Sequence, residues 1–197
     1  MDGSRPSTCA QRRCGFTLVE LIVTLAVAAV LVAGVIPGFQ QLVARNRQTA
    51  HLNTVVASLA LARSRAVDQG YYASLCPSLD GETCADTFRW DRGWLVFTDT
   101  DGNGRRAPEE PLIRAVQALN GTRIFTSTRR RHITFRSTGA RGGSGSSGGS
   151  NATFTFCRSA SAAESSAAIL SNVGRVRVER PAPSVHAEKC GDGTTGY

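Results

Sequence analysis

Two arginines two residues apart, in the string Gly174-Arg175-Val176-Arg177, are the clearest candidates for chemistry in this sequence. In an extended strand the side chains alternate, so Arg175 and Arg177 share one face, about 6.5 Å apart, and Val176 and Val178 share the other, facing the core. Two guanidiniums at that spacing can each fork onto a pair of phosphate oxygens, a geometry that an ammonium does not offer. Gly174 lacks a Cβ and suits a sharp turn, or close approach to a ligand, just before them. Taken alone the string is unspecific, because arginines decorate many strand exteriors. A second basic run, Arg129-Arg130-Arg131, with Arg136 and Arg141 nearby, offers auxiliary phosphate contacts or simply a solvated loop. No aromatic residues interleave these arginines, which argues against base stacking and for contact with a nucleic-acid backbone.

Asp99, Asp101, Asn103 and Glu110 carry oxygen donors at the offsets of an EF-hand calcium loop, with Gly104 at its turning position. The surroundings are those of a turn: a strand-like run precedes it, no helical pattern follows, and Pro108 interrupts its second half. Asp-Gly and Asn-Gly also serve a wide hairpin turn for backbone reasons alone. The expectation is a structural turn, with no metal and no cofactor. Catalysis finds no support either. There is no Gly-x-Ser-x-Gly elbow and no phosphate-binding loop, and the carboxylates Glu109 and Glu110 are consecutive, poorly placed to flank a substrate.

Charge is distributed unevenly. Residues 16–110 carry eight basic and ten acidic side chains, residues 111–197 twelve and four. The basic half points to a polyanionic partner, DNA foremost, against the plainer alternative of a surface kept soluble by arginine. Cys76, Cys84, Cys157 and Cys190 follow the apolar N-terminal segment, and four cysteines allow three pairings. Proximity in sequence favours Cys76 with Cys84, leaving Cys157 for Cys190. A metal site is the weaker rival, since no Cys-x-x-Cys pair exists and His51, His132 and His186 are scattered.

The elements that must position these residues follow from hydropathy. Phe16 to Ile36 is an apolar run of 21 residues whose only charge is Glu20. As a helix it covers roughly 30 Å, the thickness of a bilayer's hydrocarbon core. Arg12 and Arg13 precede it and hold the N-terminus on the cytoplasmic side. The small residue Gly15 lies before the apolar run, unlike the cleavage site of an ordinary signal peptide. From Gly38 the pattern becomes amphipathic, with Leu52, Val55, Val56, Leu59, Ala62 and Ala66 at helical spacing and an end expected near Asp68 to Gly70. Beyond it eight strands are expected: residues 71–75, 94–97, 112–116, 122–126, 132–135, 153–157, 168–171 and 175–178. Alternation of Ile133 with Phe135 and of Phe154 with Phe156 places the intervening polar residues outside. A flexible Gly/Ser loop is expected over 139–150, and an irregular tail from Pro181, held by Cys190.

The run Gly15-Phe16-Thr17-Leu18-Val19-Glu20-Leu21 resembles the processing site of type IV prepilins and type II secretion pseudopilins. That resemblance implies cleavage by a prepilin peptidase after Gly15 and methylation of Phe16. It also implies that Glu20 neutralises the terminal amine of a neighbouring pilin during assembly. Trp94-Leu95-Val96-Phe97, the acidic glycine-rich turn, Leu112-Ile113-Arg114 and the closing Gly174-Arg175-Val176-Arg177 resemble the GspH/FimT branch of this family. In the FimT minor pilins the closing arginine pair is associated with DNA capture for natural transformation.

The expected fold class is therefore α+β, a type IV pilin-like fold with a long N-terminal helix packed on an antiparallel β-domain. The expected organisation is a cleaved leader (1–15), a transmembrane segment (16–37), an amphipathic spine (38–70) and a β-rich domain (71–197). The chain is expected to be single-pass in the inner membrane, its β-domain periplasmic, and extracellular once in a pilus. The alternative role is a GspH-like minor pseudopilin of a type II secretion system. Because Gly15 precedes the apolar helix, mature protein from export-competent cells should begin at Phe16. N-terminal sequencing tests this, and replacing Gly15 by a bulky residue should leave full-length precursor in the membrane.

Overall fold

The computed structural model describes residues 16–127, 130–143, 151–158 and 162–190. Gly15 and the rest of the leader, Arg129, and residues 144–150 of the glycine-serine stretch lie outside this set. Helix α1 runs over Leu18–Gln69. The chain divides into two compact units, one up to Leu42 and one from Val43 onward.

In the first unit every described side chain is exposed, including Leu18, Val19, Leu21, Ile22 and Leu25. A helix whose side chains are almost all apolar and exposed on every side suits lipid or other helices. The Thr17 hydroxyl accepts the Glu20 amide hydrogen at 3.2 Å, satisfying one of the donors orphaned at the helix start. Glu20 thus lies in the first turn, where the helix dipole favours a carboxylate.

In the second unit the remainder of α1 presents Leu52, Val55, Leu59, Ala62 and Ala66 to the core. Gly70, with φ of 72°, closes the helix and donates its amide to the Ala66 carbonyl. Eight strands follow: β1 (Tyr72–Pro77), β2 (Trp94–Asp99), β3 (Leu112–Val116), β4 (Arg123–Thr126), β5 (Ile133–Phe135), β6 (Ala152–Cys157), β7 (Ser165–Leu170) and β8 (Val176–Glu179). They form two four-stranded sheets of order β3-β2-β1-β5 and β4-β6-β7-β8, with every pairing antiparallel. One face of each sheet joins the helix in a single core: Leu75, Val96 and Phe135 from the first, Ile124, Phe154 and Leu170 from the second. Trp90 meets Phe154 edge to face at 5.0 Å.

Two expectations fail here, for one reason. Thr134 and Thr155, placed outside by alternation, are buried. As far as Cys190 the tail from Pro181 is not irregular: it forms helix α2 (Ser184–Ala187) and a 3-10 turn over Glu188–Cys190, and residues 191–197 lie outside the described set. Both sheets are covered on their outer faces as well. On the first, Cys84 packs on Cys76, Leu95 and Phe97. On the second, Ala182 and Ala187 pack on Ala167 and Ile169, while Cys190 packs on Phe125 and Cys157. Each cover is held by a disulfide, Cys76–Cys84 and Cys157–Cys190. Changing Cys157 and Cys190 together to serine opens a link across 33 residues and should cost ~2–4 kcal/mol. The expected result is a lower denaturant midpoint and proteolysis within 181–190; an unchanged midpoint would show that packing alone holds the tail.

Candidate nucleic-acid interface

The candidate site is built on the turn between β7 and β8. Gly174 donates its amide to the Ser171 carbonyl at 3.0 Å, and the Ser171 amide donates to the Arg175 carbonyl at 2.8 Å. The Ser171 hydroxyl accepts the Arg175 amide hydrogen at 3.1 Å. Two other elements pin this turn. Arg63 of α1 donates from Nε to the Gly139 carbonyl at 3.0 Å. Arg141 donates from its backbone to the Asn172 carbonyl at 2.8 Å and from its guanidinium to the Asn172 side chain at 2.6 Å. Gly174 is buried with φ of 79°, and a Cβ there would collide with the Gly139 carbonyl oxygen. Gly174 thus turns the chain, and what approaches it closely is the protein's own Gly139 carbonyl and not a ligand.

Arg175 is exposed immediately before β8, and Arg177 is exposed within it. Val176 packs against the core. Val178, expected there too, is 43 % exposed. It pairs with Ala168, but β8 is the edge strand of its sheet and has no neighbour on its other side. Arg177 is not bare: its Nε lies 2.9 Å from the Glu179 carboxylate. Arg180 follows, also exposed.

Helix α1 adds arginines that sequence spacing does not connect to β8. Arg63 lines a groove with Val56, Val67, Gly174 and Arg175. Arg45 lines another with Gln48, Arg158, Glu164 and Arg180. Arg158 is paired with Glu164. Arg177 thus stands on the edge strand with Arg175 just before it and Arg180 just after it, Arg63 in the groove beside Arg175 and Arg45 in the groove beside Arg180. Of these, Arg180 was within reach of sequence reasoning, standing three residues past Arg177. Arg63 and Arg45 needed the fold.

The second basic run lies elsewhere. Arg130 is anchored by its backbone, its carbonyl accepting from Trp90 Nε1 at 3.2 Å and its amide donating to the Thr126 hydroxyl at 2.9 Å. Arg131 pairs with Asp86 at 2.6 Å. Both precede β5, whereas Gly139 and Arg141, which touch the β7–β8 turn, follow it. Burial, helped by the Arg105 and Arg130 charges, holds His132 below the usual imidazole range. Burial first, and Arg130 second, also lowers Arg141.

Asp99, Asp101 and Glu110 bring one carboxylate oxygen each within 4.8 Å of one another. Their oxygens take hydrogen bonds from the chain itself: Asp99 from the Gly104 amide at 2.9 Å and the Ser74 hydroxyl at 2.5 Å, Glu110 from the Thr100 amide at 2.7 Å and the Ala107 amide at 3.0 Å. Asp101 accepts from the Asn103 side-chain amide at 2.5 Å. Burial raises the Asp99 carboxyl above its ordinary range. This is the chemistry of a carboxylate-braced turn, the arrangement that Asp-Gly and Asn-Gly spacing favours.

A long N-terminal helix followed by antiparallel sheets is the architecture of a type IV pilin-like protein. Residues 51–174 match the family described as "Type II transport protein GspH", and residues 10–36 match the prokaryotic N-terminal methylation motif. The chain belongs to the GspH family and is a minor pilin or pseudopilin of the GspH/FimT type. These are subunits of filament systems and not enzymes; they are processed by prepilin peptidase and assemble with other pilins. Similar solved structures include the type IV minor pilin FimU of Pseudomonas aeruginosa, 21% identical with a TM-score of 0.55, covering 71% of this chain and 95% of that one. The minor pseudopilin EpsH of Vibrio cholerae is 11% identical with a TM-score of 0.47, over 70% of this chain and 99% of that one. Comparison with curated proteins gives no match.

The geometry at Gly174 yields a graded expectation. Gly70 and Gly174 both have positive φ, but a Cβ at Gly70 meets open space. Gly70→Ala should cost about 1 kcal/mol from backbone strain alone, and Gly174→Ala more, toward ~3 kcal/mol. Paired thermal or denaturant unfolding checks the order; equal losses would mean that the Gly139 contact is not a constraint.

Proposed function

We propose that this protein is a minor pilin that binds DNA through its backbone, without sequence preference, for uptake in natural transformation. The apolar helix anchors it in the inner membrane with the β-domain in the periplasm, and the mature chain begins at Phe16, with Glu20 meeting the amine of a neighbouring pilin. The observation that carries the reading is the group of exposed arginines at edge strand β8, Arg177 within it and Arg175 and Arg180 at its two ends, with Arg63 and Arg45 in the neighbouring grooves. Guanidiniums along an extended edge suit the regular phosphates of a duplex, and phosphate contacts carry no sequence information. The basic balance of residues 111–197 adds long-range attraction for a polyanion. A pseudopilin of a type II secretion system is the second reading, favoured by the description of the matched family.

The test is DNA binding by the full-length protein in a neutral detergent, using duplexes of unrelated sequence. Affinities should be similar among sequences and fall steeply with salt, with a log–log slope of about −0.9 per phosphate neutralised. Changing Arg175 and Arg177 together to glutamine should flatten that slope by about two contacts with the fold intact. Absence of binding at low salt removes the uptake role and leaves the secretion reading. Binding that is indifferent to the double change leaves DNA as partner and discards this site.

A further inference from the structure

Away from β8, the loop closed by Cys76–Cys84 and the β2–β3 connection face each other across a groove of about 300 Å³. Its walls carry Arg105 from the β2–β3 connection and Arg131 from the segment before β5. Both guanidiniums converge on one atom, Asp86 Oδ1, Arg131 at 2.6 Å and Arg105 at 3.6 Å. All three side chains are more than half exposed. The groove is built rather than incidental. Gly104 packs on the His132 ring, where any Cβ would collide. Arg106 donates to the Glu82 carbonyl at 2.9 Å and so ties the two loops together.

A carboxylate oxygen held by two guanidiniums marks a place where an anionic oxygen is stabilised. A surface ion pair of this exposure contributes little net free energy, so the Asp86 side chain can be displaced at small cost. A phosphodiester offers two such oxygens and a denser charge, and it is drawn further by the +8 net charge of the chain.

We propose that the groove between Arg105 and Arg131 is a second anion site, taking one phosphate of the DNA backbone, with the Asp86 carboxylate as its displaceable occupant. The inference rests on the DNA-binding reading above but uses none of its residues on β8. Arg105 lies in a part of the chain that is acidic overall, so its share in a phosphate site follows only from the fold. Asp86 acts as a brake: DNA exchanges with a carboxylate instead of filling an empty site, which weakens binding by the fraction of time the site is occupied.

The experiment is a salt titration of duplex binding, read by fluorescence anisotropy, with the full-length protein in neutral detergent. Asp86→Asn should tighten binding about threefold to fivefold at low salt. Glu109→Gln, which removes the same charge from an exposed position outside the groove, should change it much less. Arg105→Gln with Arg131→Gln should lower the salt slope by about 0.9, one phosphate fewer, whether or not Arg175 and Arg177 are intact. In that double background Asp86→Asn should gain nothing. Equal effects of Asp86→Asn and Glu109→Gln would reduce Asp86 to bulk charge and overturn the proposal. Loss of binding on changing Arg175 and Arg177, with no response to Arg105, Arg131 or Asp86, would overturn it while sparing the DNA-binding reading. No binding by either the wild type or Asp86→Asn would end both.

Discussion

The second unit depends on burying the stripe Leu52, Val55, Leu59, Ala62 and Ala66 of helix α1. Among the described residues the two sheets share no strand-to-strand ladder; what unites them is a common core against that stripe, with the Arg141–Asn172 bonds tying the segment after β5 to the β7–β8 turn. Small residues at Ala62 and Ala66 let backbone approach closely, and Leu52, Val55 and Leu59 fill the wider space. Burial of apolar area is the main driving force available, and one face of each sheet joins this helix in the core. The other faces are covered by the segment around Cys84 and by residues 182–190. Each is held by a disulfide, consistent with a compartment in which such bonds persist.

The same packing aims the arginines. Because Arg63 reaches from α1 to the Gly139 carbonyl, and Gly174 packs on that carbonyl, the β7–β8 turn cannot shift without disturbing the helix. Arg175 then leaves the turn into solvent with its backbone fixed at both ends. Charges on β8 have a second physical consequence. An edge strand with free backbone groups invites pairing with another chain, and arginines on it resist that pairing. Protection of the edge and attraction for a polyanion are compatible uses of the same side chains, because a phosphate needs the guanidinium and not the strand's backbone.

Electrostatics in this domain works through carboxylates as much as arginines. Glu179 tempers Arg177, Glu164 holds Arg158, and Asp86 sits between Arg105 and Arg131. A surface with its cations partly neutralised in this way attracts a polyanion at long range without collapsing irreversibly onto it.

The sequence by itself determined the periodic elements and the class. The 21-residue apolar run, the stripe from Leu52 to Ala66 and all eight strands follow from local hydropathy, because each element's own period is written in consecutive residues. The pairing of cysteines was favoured by proximity, and the turn from Asp99 to Glu110 was readable from its Asp-Gly and Asn-Gly steps. Only tertiary structure decided which faces are covered. Thr134, Thr153 and Thr155 are polar residues in alternating strands, and alternation says nothing about a loop that arrives from elsewhere in the chain to bury them. Val178 shows the converse: it faces the core side but lies on an edge strand. Arg45 and Arg63 stand about a hundred residues or more from β8, and Arg105 stands well apart from Arg131. Their convergence depends on long-range packing, which local sequence does not encode.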